Sequence, residues 1–105
     1  MNIVAITACT SGIAHTYIAK EKLIKAAQSL GHSIYVETQG TIGVENELRK
    51  ENIAEADVVI IAADIKISGK ERFAGKRIVE VPTQLLIKSP KALINKLQED
   101  MIPKV

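Results

Sequence analysis

Short, almost unbroken apolar runs alternate along this chain with stretches in which apolar residues recur every three or four positions. Ile3 to Ala8 reads as a continuous apolar run, the pattern of a strand buried on both faces. Ala19, Leu23, Ala26, Ala27 and Leu30 then fall on one helical stripe, and Gly31 follows where a helix C-cap belongs. Ser33 to Gln39 alternates Ile34, Val36 and Thr38 with Tyr35, Glu37 and Gln39, which predicts a second strand with one drier face. Gly40 to Gly43 reads as a flexible loop, Glu45 to Lys50 as a polar helical stretch, and Asn52 with Glu55 as a capping box for one more short turn. Asp57 to Ala63 is the next fully apolar strand. Ile65 to Gly75 predicts a loop with a short helical piece, and Arg77 to Val81 a fourth strand. Ser89-Pro90 marks the start of a last helix carrying Leu93, Ile94 and Leu97.

This alternation predicts an α/β fold. The expected form is a small doubly wound, Rossmann-like sheet of four parallel strands in the order 2-1-3-4, with right-handed crossovers and helices on both faces. In such sheets a ligand binds beyond the carboxyl ends of the strands, where the winding reverses. Here that is the loop after the first strand, beside the loop after the third.

Composition changes the picture only by exclusion. At 105 residues the chain fits a single domain spanning 1–105. Three aromatic residues leave the core to Ile, Val, Leu and Ala, which suits helices layered on a parallel sheet. A net charge of +2 with no basic run or aromatic platform argues against nucleic-acid binding. No apolar stretch approaches the roughly 20 residues that span a bilayer. The first residues do not form a signal peptide, and a lone cysteine forms no internal disulfide. These features lead us to expect a cytoplasmic protein, and they leave Cys9 to be explained by itself.

The loop after the first strand is Cys9-Thr10-Ser11-Gly12-Ile13-Ala14-His15-Thr16. Its cysteine follows a buried strand, and Gly12 with two small hydroxyl residues lets the backbone curl so that N–H groups converge. Such a nest, closing onto a helix N-terminus, cradles an anion and favours thiolate over thiol. A thiolate inside a phosphate-shaped cradle forms a phosphocysteine, its phosphoryl oxygens held by backbone N–H groups. No cluster of Asp, Glu, His and Cys has metal-ligand spacing, so neither a metal nor another cofactor is expected. His15 either stabilises the thiolate or caps the first helical turn. Thr16 either bonds sulfur or phosphate, or bonds only its own helix.

The same spacing invites comparison with the Cys-x5-Arg-Ser/Thr loop of protein tyrosine phosphatases. There an arginine clamps phosphate with two parallel hydrogen bonds, a geometry imidazole cannot reproduce. A small cysteine-dependent phosphatase or reductase is therefore the second reading, and His15 and the missing resolving cysteine weigh against it. A flavodoxin-like module with an inert Cys9 is a third, and the loop lacks aromatic residues to sandwich a flavin. Among secondary residues, Thr38, Gln39 and Gly40 end the second strand on the edge that carries Cys9. Asp64 ends the third strand beside the switch point. Lys66, Lys70 and Arg72 lie in the loop after it, where they either steer an acidic partner or are simply solvated. Asp57 opens the third strand, and His32, just past a helix C-cap, is expected at the surface.

Taken together, these motifs resemble the fructose-type IIB domain of the bacterial phosphoenolpyruvate-dependent sugar phosphotransferase system. That family's loop is Cys-Pro-Thr-Gly-Ile-Ala-His-Thr, and Glu37-Thr38-Gln39-Gly40, Ile53 to Ile60 and Glu71 to Lys76 extend the likeness in the same order. The resemblance implies a phosphoryl relay. A IIA partner carrying phosphohistidine donates to Cys9, and phosphocysteine then passes the group to a sugar held by the membrane-embedded IIC permease. It further implies a monomer that reaches the inner face of the membrane through IIC without inserting into it. Thr10 stands in place of the family proline, which removes a fixed φ and adds an N–H donor. Ser11 in place of threonine keeps the hydroxyl.

Overall fold

In a computed structural model the protein is described over residues 2–8, 13–40 and 43–101, with side chains for 2–8, 17–39 and 44–97. The strands are β1 (Asn2–Ala8), β2 (Ser33–Gly40), β3 (Gly43–Glu45), β4 (Val58–Ala63) and β5 (Ile78–Val81). The helices are α1 (Ile13–Ser29), α2 (Lys50–Glu55), α3 (Thr83–Lys88) and α4 (Pro90–Met101), and a 3-10 turn covers Lys70–Phe73.

The sheet runs β3-β2-β1-β4-β5. This corrects the expected four parallel strands. Pairing of β2 with β1, β1 with β4 and β4 with β5 is parallel, but a fifth strand, β3, pairs antiparallel to β2 on the outer edge. Gly43 to Glu45, where the end of a loop and the start of a polar helix were expected, form the return arm of a hairpin, with Gly40 opposite Gly43. Its end is marked by Asn46 at a φ of 54°. The helix itself starts five residues later than expected, and Asn52 caps it from within by accepting the Arg49 N–H at 3.3 Å. Residues 83–88, assigned to no element from the sequence, form α3 directly after Pro82.

Both faces of the sheet are covered. On one, Ile3, Ala5, Val36, Val58 and Ile60 pack under Ala19, Leu23 and Ala27 of α1, Leu86 of α3 and Ile94 of α4. On the other, Val4, Ile6, Val59 and Ile61 pack under Leu48, Ile53 of α2 and Phe73. Small residues on α1 let the helix approach the sheet closely. Helix α1 stops at a left-handed Gly31, φ 80°, with the His32 N–H returning to the Ala27 carbonyl at 2.9 Å. That turn folds the chain inward and leaves His32 only 9% exposed, against the expectation of a surface residue.

Opposite the site, Asp57 ties the amino ends of two strands. Its carboxylate accepts the Asn2 N–H at 2.8 Å, and its own N–H donates to the Asn2 carbonyl at 2.7 Å. Lys76 donates to the carbonyls of Ala54 and Ala56, satisfying acceptors left free at the end of α2.

Candidate functional site

Strand β1 lies between β2 and β4: the chain passes from β1 to β2 on one side and later returns to β4 on the other. The winding therefore reverses at the carboxyl end of β1, at Ala8. The next residue in sequence is Cys9. Cys9, Thr10, Ser11 and Gly12 lie outside the described residues, as do the side chains of Ile13, Ala14, His15 and Thr16, whose backbone forms the first turn of α1.

Among the secondary residues, Gln39 and Asp64 flank Ala8 directly. Gln39 is its register partner on β2, and the Asp64 N–H donates to the Ala8 carbonyl at 3.0 Å. The Asp64 carboxylate then turns to α3, accepting the Thr83 hydroxyl at 2.6 Å and the Thr83 N–H at 3.3 Å. Asp64 thus fastens the end of β4 both to the end of β1 and to the first turn of α3.

Arg72 is placed further back, against Glu37, the register partner of Ile6. Its two terminal nitrogens donate to the two Glu37 oxygens at 2.9 and 3.0 Å, and its Nε donates to the Gly69 carbonyl at 2.7 Å. Glu37 is fully buried and accepts two more bonds, from the Leu48 N–H at 2.9 Å and from Gln39 Nε2 at 2.8 Å. Burial alone would push this carboxyl up. The hydrogen bonds from Arg72, Gln39 and Leu48, with the Arg72 charge, outweigh it and hold the group below the usual carboxylate range. Gln39 completes the array by exchanging two bonds with the Ser68 backbone, each 2.9 Å. The loop after β4 is thereby locked onto β2.

Sequence reasoning set Glu37 on the outer face of an alternating strand, and the structure buries it. The available signal was a charged residue two positions from Gln39, with Arg72 downstream. Pairing them requires knowing that the loop after β4 folds back over β2.

Other cations nearby are differently employed. Lys70 pairs with Glu80. Beyond the carboxyl ends of β4 and β5 lies an open groove of about 600 Å³ lined by Ile61, Ala63, Ile65, Lys66, Val81 and Pro82. Lys70, Glu71 and Glu80 also line it, so its wall carries both signs of charge. At the start of α1, the Tyr17 hydroxyl donates to Glu45 on β3, which joins the helix to the hairpin and pushes the phenol up. Among the described residues no group of three or more His, Cys, Asp and Glu side chains is arranged to hold a metal ion, and no helix is long and apolar enough to cross a membrane.

Comparison with known proteins agrees with this architecture. Residues 4–96 match the family described as "PTS system, Lactose/Cellobiose specific IIB subunit". The chain is 51% identical over 96 residues to the PTS system fructose-like EIIB component 2 of Escherichia coli K12, covering 91% of each. It is 48% identical over 99 residues to a Fructose-like PTS system EIIBC component of the same organism, covering 92% of this chain and 20% of that longer one. A crystallised domain from a fructose-specific IIABC component of Borrelia burgdorferi is 49% identical, with a TM-score of 0.85 over 90% of this chain and 89% of that one. The family description names lactose and cellobiose, while these relatives are named for fructose. On the matched family, the near-complete coverage and the shared fold, the chain belongs to the IIB subunits of the phosphotransferase system.

Proposed function

We propose that this chain is a fructose-type IIB subunit that carries a phosphoryl group on Cys9. The observation that supports it most is positional: the chain's only cysteine follows the residue at which the sheet winding reverses, and a helix begins four residues later. In the first step the Cys9 thiolate attacks the phosphorus of a phosphohistidine on a IIA partner. An S–P bond forms as the P–N bond breaks, and the departing imidazole nitrogen keeps the electron pair and takes up a proton. In the second step a sugar hydroxyl held by a IIC permease attacks. The O–P bond forms, the S–P bond breaks, sulfur regains its electron pair and the hydroxyl proton is lost to solvent.

The cradle for the phosphoryl oxygens is assigned to the Thr10–Thr16 motif, which runs into the first turn of α1. His15 stabilises the thiolate or the phosphoryl group. Gln39 and Asp64 hold the two strands that border the loop, and Arg72 holds Gln39 and Glu37 in place. The chain acts as a monomer in the cytoplasm and meets the membrane through IIC. The fused EIIBC relative supports that partnership, because there a segment like this one lies within one chain with a further component.

The test is formation of fructose phosphate by membranes that contain a fructose-type IIC, supplied with a phosphorylated IIA and this protein. Product that depends on wild-type protein and disappears with Cys9→Ser supports the reading. Equal product with Cys9→Ser overturns it.

A further inference from the structure

The net charge of +2 is unevenly placed on the molecule. Helices α1, α3 and α4 form one layer on the sheet. Through Leu97 they carry Lys20, Lys22, Lys25, Lys88, Lys91 and Lys96 against a single acid, Glu21. Glu99 and Asp100 follow only in the last turn of α4. The segments that cover the other face mix the two signs, with Glu47, Glu51, Glu55 and Glu71 beside Arg49, Lys50 and Lys70. A small total charge thus conceals one basic face.

The lysines of that face gather around one hollow. It has a volume of about 530 Å³, lies between the second half of α1 and the junction of α3 with α4, and is lined by Lys22, Lys25, Lys88, Lys91, Ser29 and Ser89. No acid lines it. All four lysines are exposed, and among the described residues only Lys25 has an ion pair, with Glu21 at 2.9 Å. Both members of that pair are at the surface, so it neutralises little of the local field. Four like charges around one hollow repel each other, a cost that an anionic partner removes. Helix α1 runs back from the carboxyl edge of the sheet to Ser29, and α3 runs back from the end of β5 to Lys88. The hollow therefore lies toward the amino ends of the strands, away from the edge at which β1 ends.

We infer that this lysine face docks the protein on the anionic lipid surface of a membrane, by charge and without insertion. An enclosed phosphate ligand is met by arginine forks or buried donors, and none line the hollow. Exposed lysines are mobile point charges, which suit a diffuse sheet of lipid headgroups. The choice of a membrane over other anions rests on the proposed function, which brings the chain beside a permease. Contact through the helices leaves the carboxyl edge of the sheet uncovered, so both phosphoryl exchanges stay accessible while the chain is held near IIC. The inference thus adds a direct lipid contact to docking on the permease.

The experiment sediments the full chain with protein-free vesicles of phosphatidylcholine alone or of phosphatidylcholine with phosphatidylglycerol. Wild type should bind the anionic vesicles and not the neutral ones, and added salt should release it. Lys22→Gln, Lys25→Gln, Lys88→Gln and Lys91→Gln should each weaken binding about fivefold, and the four together should abolish it. Lys50→Gln removes the same charge from the other face and should bind close to wild type. Thermal unfolding of each variant separates lost binding from lost folding. No binding to anionic vesicles, or an equal loss with Lys50→Gln, overturns the inference. Stronger release by inorganic phosphate than by chloride at equal ionic strength also overturns it, because the hollow would then hold a soluble phosphate. Lysine variants that lose phosphoryl transfer from IIA, from a wild type that ignores vesicles, overturn it too, since the face would then contact a protein. The vesicles hold neither IIC nor a phosphoryl donor, so failure to bind them leaves Cys9 phosphorylation untouched. Vesicle binding by a protein that takes no phosphoryl group on Cys9 overturns the proposed function alone.

Discussion

Arg72 and Glu37 meet through two parallel hydrogen bonds of 2.9 and 3.0 Å, although 35 residues separate them in sequence. One partner is a fully buried carboxylate, and the other arrives from the 3-10 turn that follows β4. The pair therefore decides how the loop after β4 sits against β2. Because the carboxylate has no access to water, removing the cation leaves an uncompensated buried charge. Arg72→Ala is expected to lower unfolding stability by about 3 kcal/mol. Arg72→Lys should also lose stability, because an ammonium cannot reproduce the two-pronged geometry. Urea unfolding of the three proteins at neutral pH measures both.

The same pair predicts an acid limb. The folded Glu37 carboxyl sits below its ordinary value of 4.5, so the unfolded chain binds that proton more readily than the folded one. The stability it contributes is complete above the unfolded value and is lost as pH falls from there through the folded value. Wild-type urea midpoints should therefore decline more steeply below about pH 4.5 than those of Glu37→Gln, which should start lower at neutral pH. Parallel curves would remove Glu37 as the source.

Gln39 connects the pair to the loop. Its amide donates to Glu37 and to the Ser68 carbonyl while its oxygen accepts the Ser68 N–H. Gln39→Ala should speed hydrogen exchange at the Ser68 amide. Gln39→Glu should be worse for stability, since it sets a second acceptor against the Glu37 carboxylate and the Ser68 carbonyl. Exchange measured by NMR on the three proteins checks the order.

Gly69 and Gly31 offer a controlled comparison. Both have left-handed φ angles, 79° and 80°, so alanine at either position costs about 1–2 kcal/mol in backbone strain. At Gly31 an added Cβ meets nothing within 4 Å, whereas at Gly69 it would lie 2.6 Å from Arg72 Nε. Gly69→Ala must displace the guanidinium that pairs with Glu37. It should therefore be the more destabilising of the two in thermal unfolding, and equal losses would mean that the Arg72 side chain yields freely.

Legibility followed the range of the interactions. The strands of the parallel core were readable because a strand buried on both faces must be almost wholly apolar, as Ile3 to Ala8 and Val58 to Ala63 are. The stop at Gly31 and the start at Pro90 were readable because each depends on one residue's backbone chemistry. Strand β3 was not, since three residues, Gly43-Val44-Glu45, carry too little pattern and are held by pairing with β2. Helix α3 was missed for a related reason: its start is fastened by Asp64, 19 residues upstream. Around the site, Gln39 and Asp64 could be placed on the right edge from strand ends alone. The burial of Glu37 and its use of Arg72 depend on a loop folding across the sheet, and no local pattern encodes that.

Phosphoryl transfer to Cys9 is read by intact-protein mass spectrometry after incubation with phosphoenolpyruvate, the general phosphotransferase proteins and a fructose-type IIA, with Cys9→Ser alongside. A single phosphoryl addition that maps to Cys9 and is absent from the folded variant is the expected result. Folded wild-type protein that gains no mass with several IIA donors, or an addition that persists in Cys9→Ser, would contradict it.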